Sequence, residues 1–497
     1  MMDRGLGQFI TLGASKVISA ALAILTTLLV GRLLGPVAFG RWILIAAAGT
    51  LLHTALVNWT HGATVRFGRE EWAQSGSLNR TLGARLPVLA TAVVLTLVVV
   101  GLQPANWGER WFALEAAERW LLAVVALSAW LSAEAQATLQ ASDRITWQAV
   151  VAPVVAGASV LAVLVLFRLD FRSLTATALA LTAPVIVGWG STWVVSIIRS
   201  NTSIAELSAH DLPRHLRYGA PLIPTLILGY ASDWGDHLLL TRFSTMAQVG
   251  LFALSYQLFV AAMAANGVLV TLLLPRLVAQ EIIAPGAMRA YLTFEVPTLY
   301  ALWMLATVWL VAILPIAVGP ALGSAFDASV PVLLVLLVAI PSSVVTSFYT
   351  VLFNMQERMG RVLGYIFLMT ATNVVLSALL IPRLGAIGAA AGTAVSYVLG
   401  QALYIRDQHR QLQVPADAVW TMSAAGIILG VSQLAVGPGA VGRIAWAVVA
   451  TAVLMMVMRR LRCVDAGVVA RLFAGRLSVV GELIAVALAP RRQVANS

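Results

Sequence analysis

GRLLGPVAFGRW (Gly31 to Trp42) lies 210 residues before TRFSTMAQVGLF (Thr241 to Phe252), and at that offset Arg32 falls on Arg242 and Gly40 on Gly250. Extending the overlay without a gap adds Arg66 over Arg276 and Pro87 over Pro297. Matches between leucines mean little in a chain that is 60% apolar. Four matches among scarce residues at one offset mean more. Farther along the offset drifts to 214, where LQASDR (Leu139 to Arg144) overlies FNMQER (Phe353 to Arg358). An internal repeat of this length marks a chain built as two related bundles.

The composition says what kind of bundle. Mean hydropathy is +0.90 and only 11% of residues are charged, against about a quarter in soluble domains. The fold class is therefore all-α, a polytopic membrane protein, and many transporters are built on such repeats. At least twelve apolar runs reach the roughly 20 helical residues needed to cross a core about 30 Å thick. Fourteen spans are expected, near 10–31, 42–64, 86–103, 119–140, 147–167, 174–197, 217–241, 248–273, 293–318, 328–352, 362–381, 386–405, 418–436 and 440–458. The runs are too long, and alternate too little, for barrel strands.

These spans give an N-lobe over 1–205 and a C-lobe over 206–405, each of six helices. An extra helix pair over 406–458 and an amphipathic tail over 459–497 follow. Six is even, so both copies enter the membrane from the same side. The connections are too short for a folded extramembrane domain.

A formal charge of +11 raises the question of nucleic acid, but the arginines cluster between spans, where they set orientation. Of the 32 basic residues, 22 fall on the side of the termini, 9 on the other, and Lys16 lies within a span. Without the tail after residue 458 the ratio is 15 to 9. The positive-inside rule then places both termini in the cytoplasm, with no nucleic-acid partner. The first apolar run is too long for a signal-peptide core and reads as the first span. Cys463 is the single cysteine, so no intramolecular disulfide or cysteine metal cluster is expected. Val468, Val469, Leu472 and Phe473 in the tail read as an interfacial helix.

Three stretches carry a family resemblance. GRLLGPVAFGRW closes the first hairpin. PLIPTLILGYASDWGDHLLLTRFSTMAQVGLFALSYQL (Pro221 to Leu258) places an Asp ahead of a hairpin and Val-Gly-Leu-Phe after it. NVVLSALLIPRLGAIGAAAGTAVSY (Asn373 to Tyr397) adds Ile-Pro, Leu-Gly and Gly-Ala-Ala punctuation. In this order they resemble the bacterial polysaccharide flippases of the multidrug/oligosaccharidyl-lipid/polysaccharide exporter superfamily, over nearly the whole chain.

Structural roles come first for these motifs. Gly35-Pro36 suits a chain reversal, since Gly permits a tight turn and Pro fixes φ. Gly385, Gly388 and Gly392 make a smooth strip for close helix packing. Pro221 and Pro224, and Pro331 and Pro341, are expected bending points.

Charges within spans cost about 2.5–3.5 kcal/mol at the bilayer centre on insertion scales, so they face a cavity or a partner. The candidates are Lys16, His53, Glu134, Asp233 and Asp236. The resemblance implies that Lys16, after Ser15, lines the central cavity and meets the pyrophosphate of a lipid-linked sugar. Snorkelling to the interface is the plain alternative. Glu134 is expected either to neutralise Lys16 or to hold a proton or cation. His53 and His61 are placed to carry a proton or to sit neutral and hydrogen-bonded. Asp236 matches the family's acidic position, with Arg242 or Arg32 as structural partners. Trp234 is a candidate for stacking on a sugar, and Trp107, Trp111, Trp189 and Trp193 read as interfacial belts. Glu70-Glu71 reads as part of a solvated loop.

No Walker-type loop and no zinc-ligand spacing is present, so no cofactor is expected and the chain is not read as an enzyme. The resemblance implies carriage of undecaprenyl-diphosphate-linked oligosaccharide across the bacterial cytoplasmic membrane for O-antigen, capsule or exopolysaccharide assembly. The implied partners are that lipid-linked substrate, membrane lipids, and the polymerase and chain-length proteins of the pathway. Two rivals are a drug/cation antiporter of the same superfamily and a membrane polysaccharide polymerase or ligase. The first should have twelve spans and carboxylates in the N-lobe cavity. The second needs a large outer loop that is not present.

Overall fold

The computed structural model describes residues 2–102, 118–200, 202, 207–283, 286–437 and 439–472, and among these it is helical with no strand. Contacts divide the chain into a first unit, Met1–Leu254, and a second, Ser255–Ser497. The first unit holds α1 (Met2–Leu56), α2 (His61–Ser75), α3 (Asn79–Leu102), α4 (Arg119–Ala141), α5 (Ile145–Arg168), α6 (Leu174–Ile198), α7 (Leu212–Gly219) and α8 (Ile223–Phe243). α9 (Met246–Ile283) runs across the division. The second unit continues with α10 (Ala287–Leu322), α11 (Ser329–Leu337), α12 (Ile340–Met355), α13 (Met359–Leu384), α14 (Ala386–Leu412), α15 (Asp417–Ser432), α16 (Ala440–Leu461) and α17 (Ala466–Leu472).

By length and apolarity eleven described helices can cross a membrane, or twelve when the pair α11 and α12, bent by 40°, counts as one. Two regions account for the difference from fourteen. The first two expected spans are two helices that meet at Gly35, whose φ of 71° and ψ of 172° are not helical, and they count once in the 44-residue apolar stretch Gly13–Leu56. The span expected over 217–241 is split and only partly apolar. Prolines at 221 and 224 fall in a 3-10 turn (Ala220–Leu222) and the first turn of α8, where a missing N–H costs nothing. Asp233, Asp236 and His237 then lower the hydropathy of α8. Pro341 occupies the first turn of α12, at the bend.

The repeat is visible in backbone geometry. Asp143, after α4, and Glu357, after α12, occupy one place at offset 214, and both are left-handed, with φ of 59° and 54°. The turns around them match bond for bond. Arg144 N donates to Leu139 O at 2.8 Å, and Arg358 N donates to Phe353 O at 3.1 Å. A second repeat pair, Gly40 and Gly250, is in contact within the first unit. A Cβ on Gly40 would lie 3.0 Å from Gly250 N and 2.5 Å from Met246 O, and one on Gly250 would overlap Pro36 O. Two helices cross here at a distance that only glycine permits.

Helix starts are fixed by polar caps. The Glu71 carboxylate accepts from Arg80 N at 2.8 Å and from Thr81 N at 2.9 Å, so it caps α3. Glu70 pairs with Arg214 at 2.8 Å and with Arg66 at 3.7 Å. The stretch expected as a solvated loop is thus a helix, α2, whose two glutamates hold neighbouring elements. Trp189 is also not part of a belt: it is buried with Ala135, Leu139 and Val155. Trp193 packs beside it and donates to Thr138 Oγ1 at 3.2 Å. Trp107 and Trp111 lie outside the described residues.

In the second unit the glycine strip of α14 packs on α13. A Cβ at Gly388 would meet Leu380 C at 2.6 Å, and one at Gly392 would meet Ser377 Oγ at 2.5 Å. Polar bonds join α12 to α14: Gln356 and Gln408 exchange hydrogen bonds at 2.9 and 3.2 Å, and Tyr349 meets His409 Nε2 at 2.7 Å. His409 Nδ1 lies 3.0 Å from Val414 O. A carbonyl only accepts, so Nδ1 carries the proton and Nε2 accepts from the tyrosine. The tail is described to Leu472, and its start is tied to α10, where Asp465 N donates to Thr298 Oγ1 at 2.9 Å. Val464, Val468 and Val469 are buried, so this part of the expected interfacial helix is packed against protein.

Candidate substrate site

Within the first unit, charge concentrates where α1, α2, α3 and α4 meet. Glu134 is midway along α4 and 1% exposed, and Arg85, in the second turn of α3, is equally buried. Arg85 Nε donates to Glu134 Oε2 at 3.0 Å, and its Nη2 donates to Oε1. Nη1 donates to Thr60 Oγ1, in the 3-10 turn Asn58–Thr60 that joins α1 to α2. Thr60 Oγ1 in turn donates to Val57 O at 2.8 Å. A fork-to-fork pair of this kind fixes both planes, and in a dry interior it holds only because each partner's hydrogen-bonding groups are used.

The third span was expected over 86–103, one residue past Arg85, and the structure places Arg85 inside α3. It also gives Glu134 a partner other than Lys16, since both carboxylate oxygens accept from Arg85. His53, near the end of α1, and His61, at the start of α2, lie on either side of the turn whose Thr60 accepts from Arg85. Their Nδ1 atoms are buried and make no hydrogen bond to a described residue. No group of three or more metal-ligating residues occurs among the described residues.

Lys16 lies elsewhere on α1. Its side chain is exposed and makes no ion pair with a described residue, while the neighbouring Ser15 is buried. An ammonium held open in this way can meet an anion without first breaking a protein contact. The third group sits on α8, where Asp233 is exposed and Asp236, one turn on, is 3% exposed. His237 is buried against Phe252, with ring centroids 5.1 Å apart. Tyr230, Trp234 and His237 form a ladder along α8 with centroid spacings of 6.4 and 5.4 Å. Tyr230 OH donates to Ala47 O on α1 at 3.1 Å, which fixes the ladder's foot. Trp234, half-buried between two rings, has less face to offer a sugar than sequence alone suggests.

No protein-family profile and no curated protein sequence matches the chain. Solved structures do. The chain is similar to lipid II flippase MurJ in an inward closed conformation, with a TM-score of 0.70 over 91% of this chain and 99% of that one, at 12% identity. It is also similar to a mutant of the MATE transporter VcmN of Vibrio cholerae, with a TM-score of 0.52 over 82% of this chain and 97% of that one, at 16% identity. At these identities the likeness is one of fold.

Proposed function

We propose that this chain is a flippase that carries undecaprenyl-diphosphate-linked oligosaccharide across the bacterial cytoplasmic membrane, by alternating access, for O-antigen, capsule or exopolysaccharide assembly. The observation that carries this reading is the extent of the fold likeness. The lipid II flippase covers 91% of the chain and the MATE transporter 82%, so the flippase accounts for more of the chain than the MATE transporter does. An exposed lysine on the first helix fits an anionic cargo, and a pyrophosphate leaving water needs cationic partners to offset its desolvation.

In this reading Lys16 meets the pyrophosphate, while His53, Glu134, Asp233 and Asp236 belong to the path or to the groups that reset it. Arg85 holds Glu134 in place when the cargo is absent. The moving parts are the two repeats, 1–205 and 206–405, with 406–458 and the tail added to the second, and both termini are cytoplasmic. Polymerase and chain-length proteins act on the delivered product. The test is export. Lys16→Ala should abolish surface glycan at unchanged protein level, and Lys16→Arg should keep part of it. Normal export by Lys16→Ala would leave snorkelling as the account of this residue.

A further inference from the structure

The last turns of α14 carry two arginines, Arg406 and Arg410, one turn apart and exposed. They face two adjoining grooves. On one side they join Arg358, Arg361 and Asp407 around a groove of about 720 Å³ whose walls are charged but of mixed polarity. On the other they join Leu399, Leu403, Val414 and Trp420 along a mostly apolar groove of about 880 Å³. Asp407 is already engaged, by Arg358 at 3.2 Å and by Arg361. Two guanidiniums therefore share one carboxylate, and Arg406 and Arg410 have no carboxylate partner among the described residues. Two further acids lie close by: Asp417, at the start of α15 and next to Ala416 of the apolar groove, and exposed Glu357, next to Arg358.

α14 is a membrane span by length and apolarity, so its end lies at the lipid–water boundary, where Trp420, 40% exposed, is in its usual setting. We infer that these joined grooves bind one anionic phospholipid of the bilayer. Its phosphate sits between Arg406 and Arg410, and an acyl chain lies along Leu399, Leu403 and Trp420. Basic pockets between spans recognise head groups in this way. Free phosphate would use the charged half alone and leave the apolar groove to water. A zwitterionic lipid would bring a cation toward four arginines.

The full-length protein in an uncharged detergent tests this with phosphatidylglycerol or phosphatidylcholine carrying brominated acyl chains, which quench nearby tryptophan. The signal of Trp420 is the difference between the natural chain and Trp420→Phe. Phosphatidylglycerol should quench it at a mole fraction about 25-fold below phosphatidylcholine, with Arg406→Gln and Arg410→Gln each removing about five-fold and the double variant removing the preference. Should the double variant misfold, salt serves instead: raising it from about 0.05 M to about 0.5 M should weaken phosphatidylglycerol quenching in the natural chain and leave phosphatidylcholine unchanged. Equal quenching by the two lipids, or a preference unmoved by the single variants and by salt, overturns the proposal. Displacement of phosphatidylglycerol by undecaprenyl phosphate at a lower mole fraction would overturn the assignment to a bilayer lipid. Suppression by inorganic phosphate alone would show that the acyl groove is not used.

Discussion

Gly40 and Gly250, separated by 210 residues and equivalent in the repeat, touch backbone to backbone, with Gly250 N 3.0 Å from the place of a Cβ on Gly40. The contact joins the helix after the first hairpin to the helix after its repeat, close to the broken residue Gly35. Gly40→Ala and Gly250→Ala should each lower stability by about 1–3 kcal/mol, as overpacking does where backbone must yield. Because both push apart one pair of helices, the double variant should cost less than the sum. Gly157→Ala, in open space on α5, is the control and should be neutral or stabilising by about 0.5–1 kcal/mol. Thermal unfolding in detergent reads all four, and additivity of the two costs would contradict a shared contact.

Glu357 holds a left-handed conformation that a side chain disfavours, with φ of 54°. It is exposed, so little else depends on it. Glu357→Gly should raise stability by up to about 1 kcal/mol. Asp143, its repeat partner, also pairs with Arg69 at 3.0 Å. Asp143→Gly should therefore gain less, and an equal gain would show that the ion pair contributes nothing.

Arg85 and Glu134 should behave as a unit. Removing one charge leaves the other buried and unpaired, so Arg85→Met or Glu134→Leu alone should cost about 3–5 kcal/mol. The double variant should recover most of that loss. Thr60 is not orphaned by it, since its hydroxyl already donates to Val57 O at 2.8 Å. If the two single costs simply add, the pair is not the contact described.

How far these features could be read beforehand varies for physical reasons. The repeat, the helical class and the order of elements follow from scarce residues at fixed offsets and from long apolar runs. The place of Arg85 does not. Gly83 and Pro87 flank it and look like loop punctuation. In the structure Gly83 is small because Ser208 packs on it, with Ser208 C 2.7 Å from where a Cβ would be. The available signal was Glu134 itself, since a carboxylate in mid-span requires a cation. α2 was missed because its charged face resembles a loop when hydropathy alone is read. The split before α8 was legible in Pro221 and Pro224, but the number of residues it removes from the span was not. Burial of Trp189 depends on tertiary packing, to which its position near a span end gives no clue.

Orientation is open to labelling without removing the native thiol. Burial pushes Cys463 up to about 11, so little thiolate forms near neutral pH and the residue should stay silent toward maleimides. The proposed cytoplasmic placement of both termini requires that a cysteine in place of exposed Gln74 on α2 react with an impermeant maleimide only from inside. One in place of Arg172, in the turn between α5 and α6, should react only from outside. The reverse pattern would invert the topology.

The central claim is movement of a lipid-linked, diphosphate-bearing sugar, and reconstitution tests it most directly. Purified protein is placed in liposomes containing a fluorescent undecaprenyl-diphosphate oligosaccharide, and the label exposed to an impermeant quencher is followed in time. The account predicts that the natural chain brings the inner-leaflet label into reach of the quencher. It also predicts that Lys16→Ala, equally folded and incorporated, leaves that label as protected as in protein-free vesicles. A natural chain no faster than empty liposomes would contradict the proposed function, and a Lys16→Ala variant as fast as the natural chain would contradict the role given to Lys16.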